Sequence, residues 1–426
     1  MTREKLHFVY RNSLVLIAFL IPSGFYGITF AVLSISFFCW IYFKDYKTLV
    51  TSFRQPQIIL PVLMYLYVLG GFFFSNDFQQ ALSTISIKLP FLIFPLIIGT
   101  CSVVDKNLIN KIGKAFIIST CLFFAIAIGY AIYDAMITNV DTVKIGESVY
   151  NKFSSYGLTR VFFNWHPTYV AMFANFSITI LIQQQINRSF KTGSVIVTVL
   201  AFAYLTIAIF LLNSIIAILA YILALLFFII KYLTKLQLGL FAKLAIVASV
   251  LGMSFSLLYI NPFRIQKIET LKDREFKVTD DYNERNLLTM RLAKWNAHWD
   301  IIKEHWLLGT TEGDIKAIRK EKYLEKGYVD LAKHNYNAHN QYVEVMTVYG
   351  LVGFVIFMGM LLMPLIKGTY HFLFAPFLLV AGITFLTETV LNRQQGMLFF
   401  MFFYALLTNP FARDAKKQVS PQSGNI

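Results

Sequence analysis

Residues 194–211 read SVIVTVLAFAYLTIAIFL and residues 214–230 read SIIAILAYILALLFFII, and neither stretch contains a charged side chain. A helix that crosses a membrane needs about 20 mainly apolar residues, so each stretch predicts a membrane-spanning helix. The rest of the chain agrees: of its 426 residues, 57% are hydrophobic and 14% are charged, against about 25% charged in an average soluble protein. A soluble protein of this size would lack the polar residues to cover its surface. The composition therefore predicts an all-α polytopic membrane protein.

Working outward from these two stretches, we count about twelve apolar segments that could span a membrane. The predicted spans are 8–23, 26–43, 58–74, 83–103, 112–133, 164–186, 194–211, 214–230, 241–260, 341–366, 371–387 and 395–410. Lysine and arginine are distributed unequally over the short loops between them, with 18 on one side and 4 on the other. Because positively charged loops stay in the cytoplasm, both termini are predicted to be cytoplasmic. The excess of Lys and Arg over Asp and Glu therefore indicates the orientation of the protein in the membrane and contact with anionic lipids. It does not indicate nucleic-acid binding.

One long polar segment, 261–340, is predicted to lie on the outer side of the membrane. It contains 15 Lys and Arg and 13 Asp and Glu residues, and loops of this length are translocated regardless of their charge. The expected organisation is nine spans in 1–260, the large outer loop in 261–340, three spans in 341–410 and a cytoplasmic tail in 411–426. Long loops in compact proteins usually carry function, so we expect the site in or beside this loop.

Within the outer loop, 287–308 is predicted to form an amphipathic helix. Its apolar face includes three tryptophans, which suit a membrane interface. The residues of this face are Leu288, Leu292, Trp295, Trp299, Ile302 and Trp306. Arg291, Lys294 and His298 form a separate basic stripe. Such a stripe is either a solvated face or a cationic surface for an anionic group, and an arginine fork suits a phosphate.

The outer loop ends in HNYNAHNQY at 334–342, and an apolar helix containing Gly350 and Gly353 follows. At 100° per residue, Gly350 lies on the same helical face as His339, about 16 Å deeper. The two glycines are expected to let a neighbouring helix approach closely. His339 is then either a structural histidine at the membrane boundary or a histidine that faces a cleft. A metal site on His334 and His339 is disfavoured because no third ligand has a clear spacing.

These residues resemble the signature of the O-antigen ligase family, in which histidine and Asn, Ser or Gln are followed after nine residues by Gly-x-x-Gly/Thr/Tyr. The matching residues are His339-Asn340 and Gly350-x-x-Gly353. The segment from Arg291 to Gly309 is similar to the one that precedes this signature in the family. Many members also carry a Ser-Arg pair where Asn213-Ser214-Ile215 stands here. The missing arginine implies that another cation takes its place in this chain.

The resemblance implies a GT-C-like fold and a glycosyltransferase in the bacterial inner membrane, with its active site facing the periplasm. The implied donor is a glycan on undecaprenyl diphosphate, and the implied acceptor is lipid A-core. An O-antigen polymerase and a protein O-oligosaccharyltransferase, which glycosylates a protein acceptor, are alternatives within the family. A lipid-linked glycan transporter is the alternative of another class, but the sequence lacks the two-half similarity of transporter repeats. We expect no cofactor and no metal ion, since the sequence contains no Asp-x-Asp and its nearest match is Glu312-Gly313-Asp314.

Transfer from a lipid diphosphate requires positive charge on the leaving group and a group that handles the proton of the acceptor hydroxyl. We predict Arg291 for the first role and His339 for the second, because imidazole titrates near neutrality. Gly350 and Gly353 are predicted to be structural, and Glu388 to pair with Arg393. Further candidates for binding the diphosphate or the glycan are Arg160, Lys88, Lys294, His298, His166 and Asn340. Lys88 has an equally good alternative as a side chain that extends from its helix end toward water.

Overall fold

The described part of the chain is built from helices. The computed structural model describes residues 2–44, 46–137, 152–161, 165–186, 192–259 and 287–412, and these residues contain no strand. The helices of the first part are α1 (Arg3–Leu20), α2 (Tyr26–Phe43), α3 (Tyr46–Phe53), α4 (Pro56–Phe72), α5 (Phe78–Lys88), α6 (Pro90–Phe94), α7 (Lys106–Ile137), α8 (Tyr156–Thr159) and α9 (Pro167–Ile186). The later helices are α10 (Thr192–Leu211), α11 (Ile215–Leu233), α12 (Leu240–Tyr259), α13 (Leu287–Glu304), α14 (Ile315–Glu325), α15 (Val329–His334), α16 (Gln341–Lys367), α17 (Phe374–Phe385) and α18 (Gln394–Leu407).

Six helical segments in the described ranges are long and apolar enough to cross a membrane: Arg3–Ser23, Tyr26–Phe43, Phe78–Gly99, Lys106–Ile137, Ile215–Leu233 and Gln341–Lys367. The α3–α4 pair, bent by 76°, would be a seventh span. Shorter apolar helices include α17 and α18. The all-α, multi-pass class is confirmed, whereas the count of twelve spans and the division into four parts stay predictions.

The helices pack around α9, which is buried on every side from Pro167 to Leu181. Helices α7, α10, α11 and α17 surround it. Helix α18 is buried from Gly396 to Leu407, and its Phe399 and Phe403 rings contact Phe176 of α9. Interlocked aromatic rings of this kind fix the helices laterally. This core holds the residues at the ends of α9 and α18 in place, and several of those residues belong to the site.

The polar segment before α16, predicted to lie on the outer side and called the outer segment below, contains a small folded unit of its own. Helices α13, α14 and α15 pack together around a core of Ala293, Ala297, Tyr323, Leu331 and Ala332. A helix is confirmed at this place, although it ends at Glu304 and the following residues form a turn. Its buried face, which includes Ala293, Ala297 and Ile301, is not the predicted one. The predicted tryptophan face is divided, because Trp299 and Trp306 are exposed whereas the Trp295 Nε1 donates a hydrogen bond of 2.9 Å to the Ala338 carbonyl.

Helix α16 is interrupted at Gly350, which has φ +62° and ψ −165°. The turn 306–311 fills the interruption: the N–H groups of Leu351 and Val352 donate to the carbonyls of Trp306 and Leu307 at 2.8 and 3.2 Å. In return, the N–H groups of Thr310 and Thr311 donate to the carbonyls of Thr347 and Val348, both at 3.2 Å. All four pairs are main-chain bonds, so the break leaves these polar groups satisfied. The turn is therefore part of the structure of α16.

Two expectations about this helix were wrong. The helix begins after the N-cap residue Asn340, so His339 is outside it and does not share a continuous helical face with Gly350. The element that approaches Gly350 closely is the turn 306–311, and not a neighbouring helix: a Cβ on Gly350 would overlap the Leu307 carbonyl oxygen. A fixed angle of 100° per residue cannot be carried through a residue with positive φ.

Candidate active site

A cavity of about 630 Å³ lies where the outer segment meets the helix bundle. One wall comes from α5, whose Gln80, Ser83, Thr84, Ile87 and Lys88 face the cavity at the spacing of one helical face. Helix α14 and the segment from His334 to His339 form a second part of the wall. His166 and the segment from Glu388 to Gln395 complete it. The cavity is thus enclosed by parts of the chain that are more than 300 residues apart in sequence.

His339 lies in this cavity wall beside a buried carboxylate. Its Nδ1 is 3.3 Å from Oε2 of Glu388, whose side chain is only 5% exposed. His339 has φ +46°, an uncommon conformation for a residue with a Cβ. A carboxylate at Nδ1 favours the tautomer with the proton on that atom, which leaves Nε2 as the basic nitrogen. The pair therefore has the geometry of a histidine base oriented by a carboxylate.

Glu388 also contacts two other basic side chains. Its Oε1 is 3.5 Å from Nε2 of His166 and 3.9 Å from a terminal guanidinium nitrogen of Arg291. The predicted ion pair between Glu388 and Arg393 was wrong: among the described residues Glu388 pairs with His166, Arg291 and His339 instead. The outer helix α13 supplies Arg291, and its folding onto α16 brings that residue close to Glu388.

The electrostatics of this cluster keep its carboxylate charged. Burial alone would raise the pKa of Glu388, but the hydrogen bond to His339 and the positive charges of His166 and Arg291 outweigh it, so the pKa lies below its ordinary value. Burial lowers the pKa of His166, and the Glu388 charge opposes this effect. The charges of His339, Arg291 and Arg393 also lower the pKa. The charged Glu388 carboxylate is therefore available to stabilise a protonated His339.

Lys88 is buried in a polar network and does not extend toward water. Its Nζ donates to the Leu391 carbonyl at 2.8 Å and to Oδ1 of Asn392 at 2.9 Å, and it is 3.5 Å from Oε1 of Glu312. Tyr349 donates a hydrogen bond to the same Glu312 oxygen. These partners engage the ammonium group fully, so Lys88 joins α5 to the outer segment and to the chain before α18.

A second part of the network centres on Glu344 in the first turn of α16. Its Oε2 accepts from the Ala338 N–H at 2.9 Å, and its Oε1 accepts from Nδ2 of Asn392 at 3.0 Å. The Arg319 guanidinium is 3.6 Å from Oε1 and donates to Oδ1 of Asn335 at 2.8 Å. Sequence reasoning missed Glu344 and Arg319, although a glutamate at the start of an apolar helix was a usable signal. The network holds the loop from Asn335 to His339 against α16.

Arg291 and four of the candidate binding residues are not among the residues that line the cavity. Lys294 and His298 are buried, so they do not form an exposed stripe with Arg291: the Lys294 ammonium lies over the Tyr336 ring, and His298 Nδ1 is 3.0 Å from Oγ1 of Thr347. The Asn340 side chain caps α16, accepting from the N–H groups of residues 342 and 343. Arg160 is exposed at the end of α8.

The remaining sequence features have clear positions. Ser214, where the family's Ser-Arg pair was expected, lies with its Oγ 3.0 Å from Oγ1 of Thr168. A Cβ on Gly353 would overlap the Tyr349 side chain one turn earlier, which supports a structural role. Within the described ranges, no three His, Cys, Asp or Glu side chains are grouped so that they could hold a metal ion.

The fold and the site together define a class: an all-helical, multi-pass membrane protein with a histidine–carboxylate pair in a polar cavity beneath its outer segment. Residues 200–358 match the family model described as O-Antigen ligase (Wzy_C). The resemblance inferred from His339, Gly350 and Gly353 is thereby confirmed, since this part of the chain is similar to the O-antigen ligase family. A comparison with curated proteins found no significant match. The matched residues contain Arg291 and His339, whereas Glu388 follows them in the chain.

Proposed function

We propose that this protein is an O-antigen ligase-type glycosyltransferase. It transfers a glycan from undecaprenyl diphosphate to lipid A-core on the periplasmic face of the inner membrane. The observation that carries this proposal is the His339–Glu388 pair, 3.3 Å apart in the wall of the cavity. Support also comes from the match of residues 200–358 to the O-antigen ligase family, which is associated with glycosyltransferase activity.

The proposed reaction is a single displacement at the anomeric carbon. The acceptor hydroxyl gives its proton to Nε2 of His339 while its oxygen forms a bond to that carbon. The bond between the carbon and the diphosphate oxygen breaks, and its electron pair leaves with undecaprenyl diphosphate. The configuration at the anomeric carbon is inverted. Glu388 stabilises the imidazolium that forms, which is the role of a carboxylate behind a catalytic histidine.

Arg291 is the cation that we assign to the departing charge in this reaction. Its guanidinium is 3.9 Å from Glu388, too far for a tight bidentate pair. Several of its N–H donors therefore remain for a phosphate oxygen, and positive charge aimed at a leaving group stabilises the transition state. Because an arginine can serve this purpose, the proposed transfer does not depend on a metal ion, and it should proceed in excess EDTA.

Deletion of the gene tests the proposed function and its alternatives within the family. Loss of the whole lipopolysaccharide ladder with retention of the lipid-linked glycan is the result expected for a ligase. A band with a single repeat unit would assign a polymerase, and an intact ladder with lost protein glycosylation would assign a protein acceptor. Purified protein that joins donor and acceptor in detergent would exclude a transporter, since a transporter forms no new glycosidic bond.

A further inference from the structure

Arg393 lies in the cavity wall immediately before α18, where its side chain is exposed. The sequence suggested that Glu388 would neutralise it, but Glu388 pairs with His166, Arg291 and His339. The Arg393 side chain forms no ion pair or hydrogen bond with any residue in the described ranges. A guanidinium carries five N–H donors and is always charged. Arg393 therefore offers a full set of donors to whatever enters the cavity.

The other cationic side chains of the cavity wall are engaged. The Lys88 ammonium has three partners among Leu391, Asn392 and Glu312. Arg319 binds Asn335 through two donors and lies 3.6 Å from Glu344. These two residues are also buried. Lys316 is exposed, but its Nζ donates to Oε1 of Gln80 at 2.5 Å.

The surroundings of Arg393 favour an anion at this position. The Tyr156 hydroxyl belongs to the same cavity wall, and burial raises its pKa to about 12, so this phenol is neutral at physiological pH. Tyr26 donates to Oε1 of Gln395 at 3.0 Å, which holds the residue two positions after Arg393. Arg393 is also the N-cap residue of the 14-residue helix α18 and gives that helix no side-chain cap. The positive end of the helix dipole thus adds to the charge of the guanidinium.

We propose that Arg393 binds the diphosphate of the lipid-linked donor and takes the place of the arginine that is missing beside Ser214. This inference rests on the proposed function, which supplies the diphosphate. Arg393 and His166 both line the cavity, and Arg291 contacts the same Glu388 oxygen as His166. A diphosphate has two phosphate groups, and one arginine for each is a suitable match. Arg291 then contacts the phosphate that is bonded to the sugar and departs from it. Arg393 binds the other phosphate and so positions the donor in the cavity.

The test measures binding of undecaprenyl diphosphate to purified protein in lipid nanodiscs by isothermal titration calorimetry, together with KM for the lipid-linked glycan. Arg393→Gln should weaken undecaprenyl diphosphate binding and raise the donor KM by about tenfold or more, as expected for a lost charge-assisted hydrogen bond. Arg393→Lys should lie between this variant and the wild type, because lysine keeps the charge without the bidentate fork. The acceptor KM should not change.

Lys320→Gln is the matched control, since Lys320 is an exposed cation of α14 outside the cavity wall. It removes one positive charge from the same part of the molecule and should leave binding and KM unchanged. Wild-type affinity and donor KM in Arg393→Gln, with a functional wild-type enzyme, would overturn the assignment of Arg393 alone. A wild-type protein that neither binds undecaprenyl diphosphate nor transfers glycan would overturn the proposed function as well. An unchanged melting temperature in Arg393→Gln will show that any loss is local.

Discussion

At the scale of single residues, His339 combines an uncommon backbone conformation with a carboxylate partner. Non-glycine residues with positive φ cost free energy and persist where the surrounding structure enforces them, often at functional sites. Here the Asn337 Oδ1 accepts a hydrogen bond from the His339 N–H at 3.1 Å. The Glu344 carboxylate accepts one from the Ala338 N–H. The loop is fixed on both sides of the imidazole, so His339 is presented in one orientation to Glu388.

His339→Ala should reduce glycan transfer by about 10²–10⁴, the typical contribution of general base catalysis. Expression, melting temperature and binding of undecaprenyl diphosphate should be retained, because the side chain is partly exposed in the cavity wall. The measurement is single-turnover transfer with purified enzyme. Glu388→Gln should reduce the same step, since the amide cannot stabilise the imidazolium.

His305→Ala, which changes another histidine of the outer segment, is the control and should transfer glycan at the wild-type rate. If His339→Ala loses protein and keeps its specific activity, His339 is a structural residue. If it keeps both, the catalytic base is another group.

The buried His298 makes the stability of the outer segment dependent on pH. Burial, reinforced by the charges of Arg319 and Lys294, holds the pKa of His298 well below its ordinary value. In the unfolded chain the pKa of this histidine returns to about 6.5. Below that pH the unfolded chain therefore binds more protons than the folded protein. The free energy of unfolding must then fall as the pH decreases below about 6.5. The slope is at most about 1.4 kcal/mol per pH unit for one group, and stability above about pH 7 should be independent of this histidine.

Thermal unfolding between pH 5 and 8 measures this effect. His298→Gln, which cannot take up a proton, should show a smaller decrease of melting temperature at low pH than the wild type. The same decrease in both proteins would mean that other groups control the acid sensitivity.

Sequence alone could identify His339 but not its partner. The histidine belongs to a recognisable spacing, whereas Glu388 follows it by 49 positions and reaches it only through the packing of α16, α17 and α18. Glu388 and Arg393 are close in sequence, and this suggested a pair. The fold decides otherwise, because it places His166, Arg291 and His339 nearer to the Glu388 carboxylate.

At the scale of elements, the interruption of α16 explains Gly350 of the motif and Gly309 of the preceding segment. Gly309, with φ +77°, and Gly350 touch each other across the interruption, and a Cβ on Gly309 would overlap the Val348 carbonyl oxygen. Hydrophobic periodicity predicted one continuous helix because both halves of α16 are apolar. Periodicity reports which residues are buried and does not report a local change of φ, so the interruption could not be read from the sequence.

Gly350→Ala should destabilise the protein strongly, because the added methyl group meets backbone atoms that are already hydrogen-bonded. Positive φ by itself costs a residue with a Cβ about 1–2 kcal/mol. Gly327 provides the matched control: it has φ +73°, but a Cβ there meets no atom within 4 Å. Gly327→Ala should therefore show only the cost of positive φ.

Melting temperature and the yield of folded protein in detergent measure both variants. Gly350→Ala should lose considerably more than Gly327→Ala. Equal losses would mean that the conformation, and not the contact with the turn 306–311, sets the requirement for glycine at position 350.

At the scale of the whole molecule, hydropathy predicted the helical class but could not settle the number of spans. Helix α17 has 12 residues and α18 has 14, which correspond to lengths of about 18 and 21 Å, against about 30 Å of hydrocarbon. Whether such helices cross the membrane depends on their neighbours. The predicted span 371–387 is longer than α17 because it includes Phe372, Leu373 and Leu386 of the adjoining turns.

The orientation of the outer segment can be tested at Lys320, which is exposed on α14. The 18-to-4 distribution of basic residues predicts a periplasmic position. In a background without native cysteines, Lys320→Cys should react with a membrane-impermeant maleimide in intact spheroplasts. Thr51→Cys, at an exposed position of α3 in a loop expected to be cytoplasmic, should react only after lysis. The opposite pattern would invert the topology.

The turn within α16 also bears on how the chain is assembled. Residues 306–311 are synthesised before residues 347–352, so the turn is available when α16 enters the bilayer. A break in an apolar helix leaves main-chain groups that hydrocarbon cannot hydrate, and here those groups are satisfied by the turn. Stable insertion of α16 is therefore expected to depend on docking of the turn 306–311. A chain whose outer segment is removed should retain α16 poorly in the membrane, even though no residue of that helix has been changed.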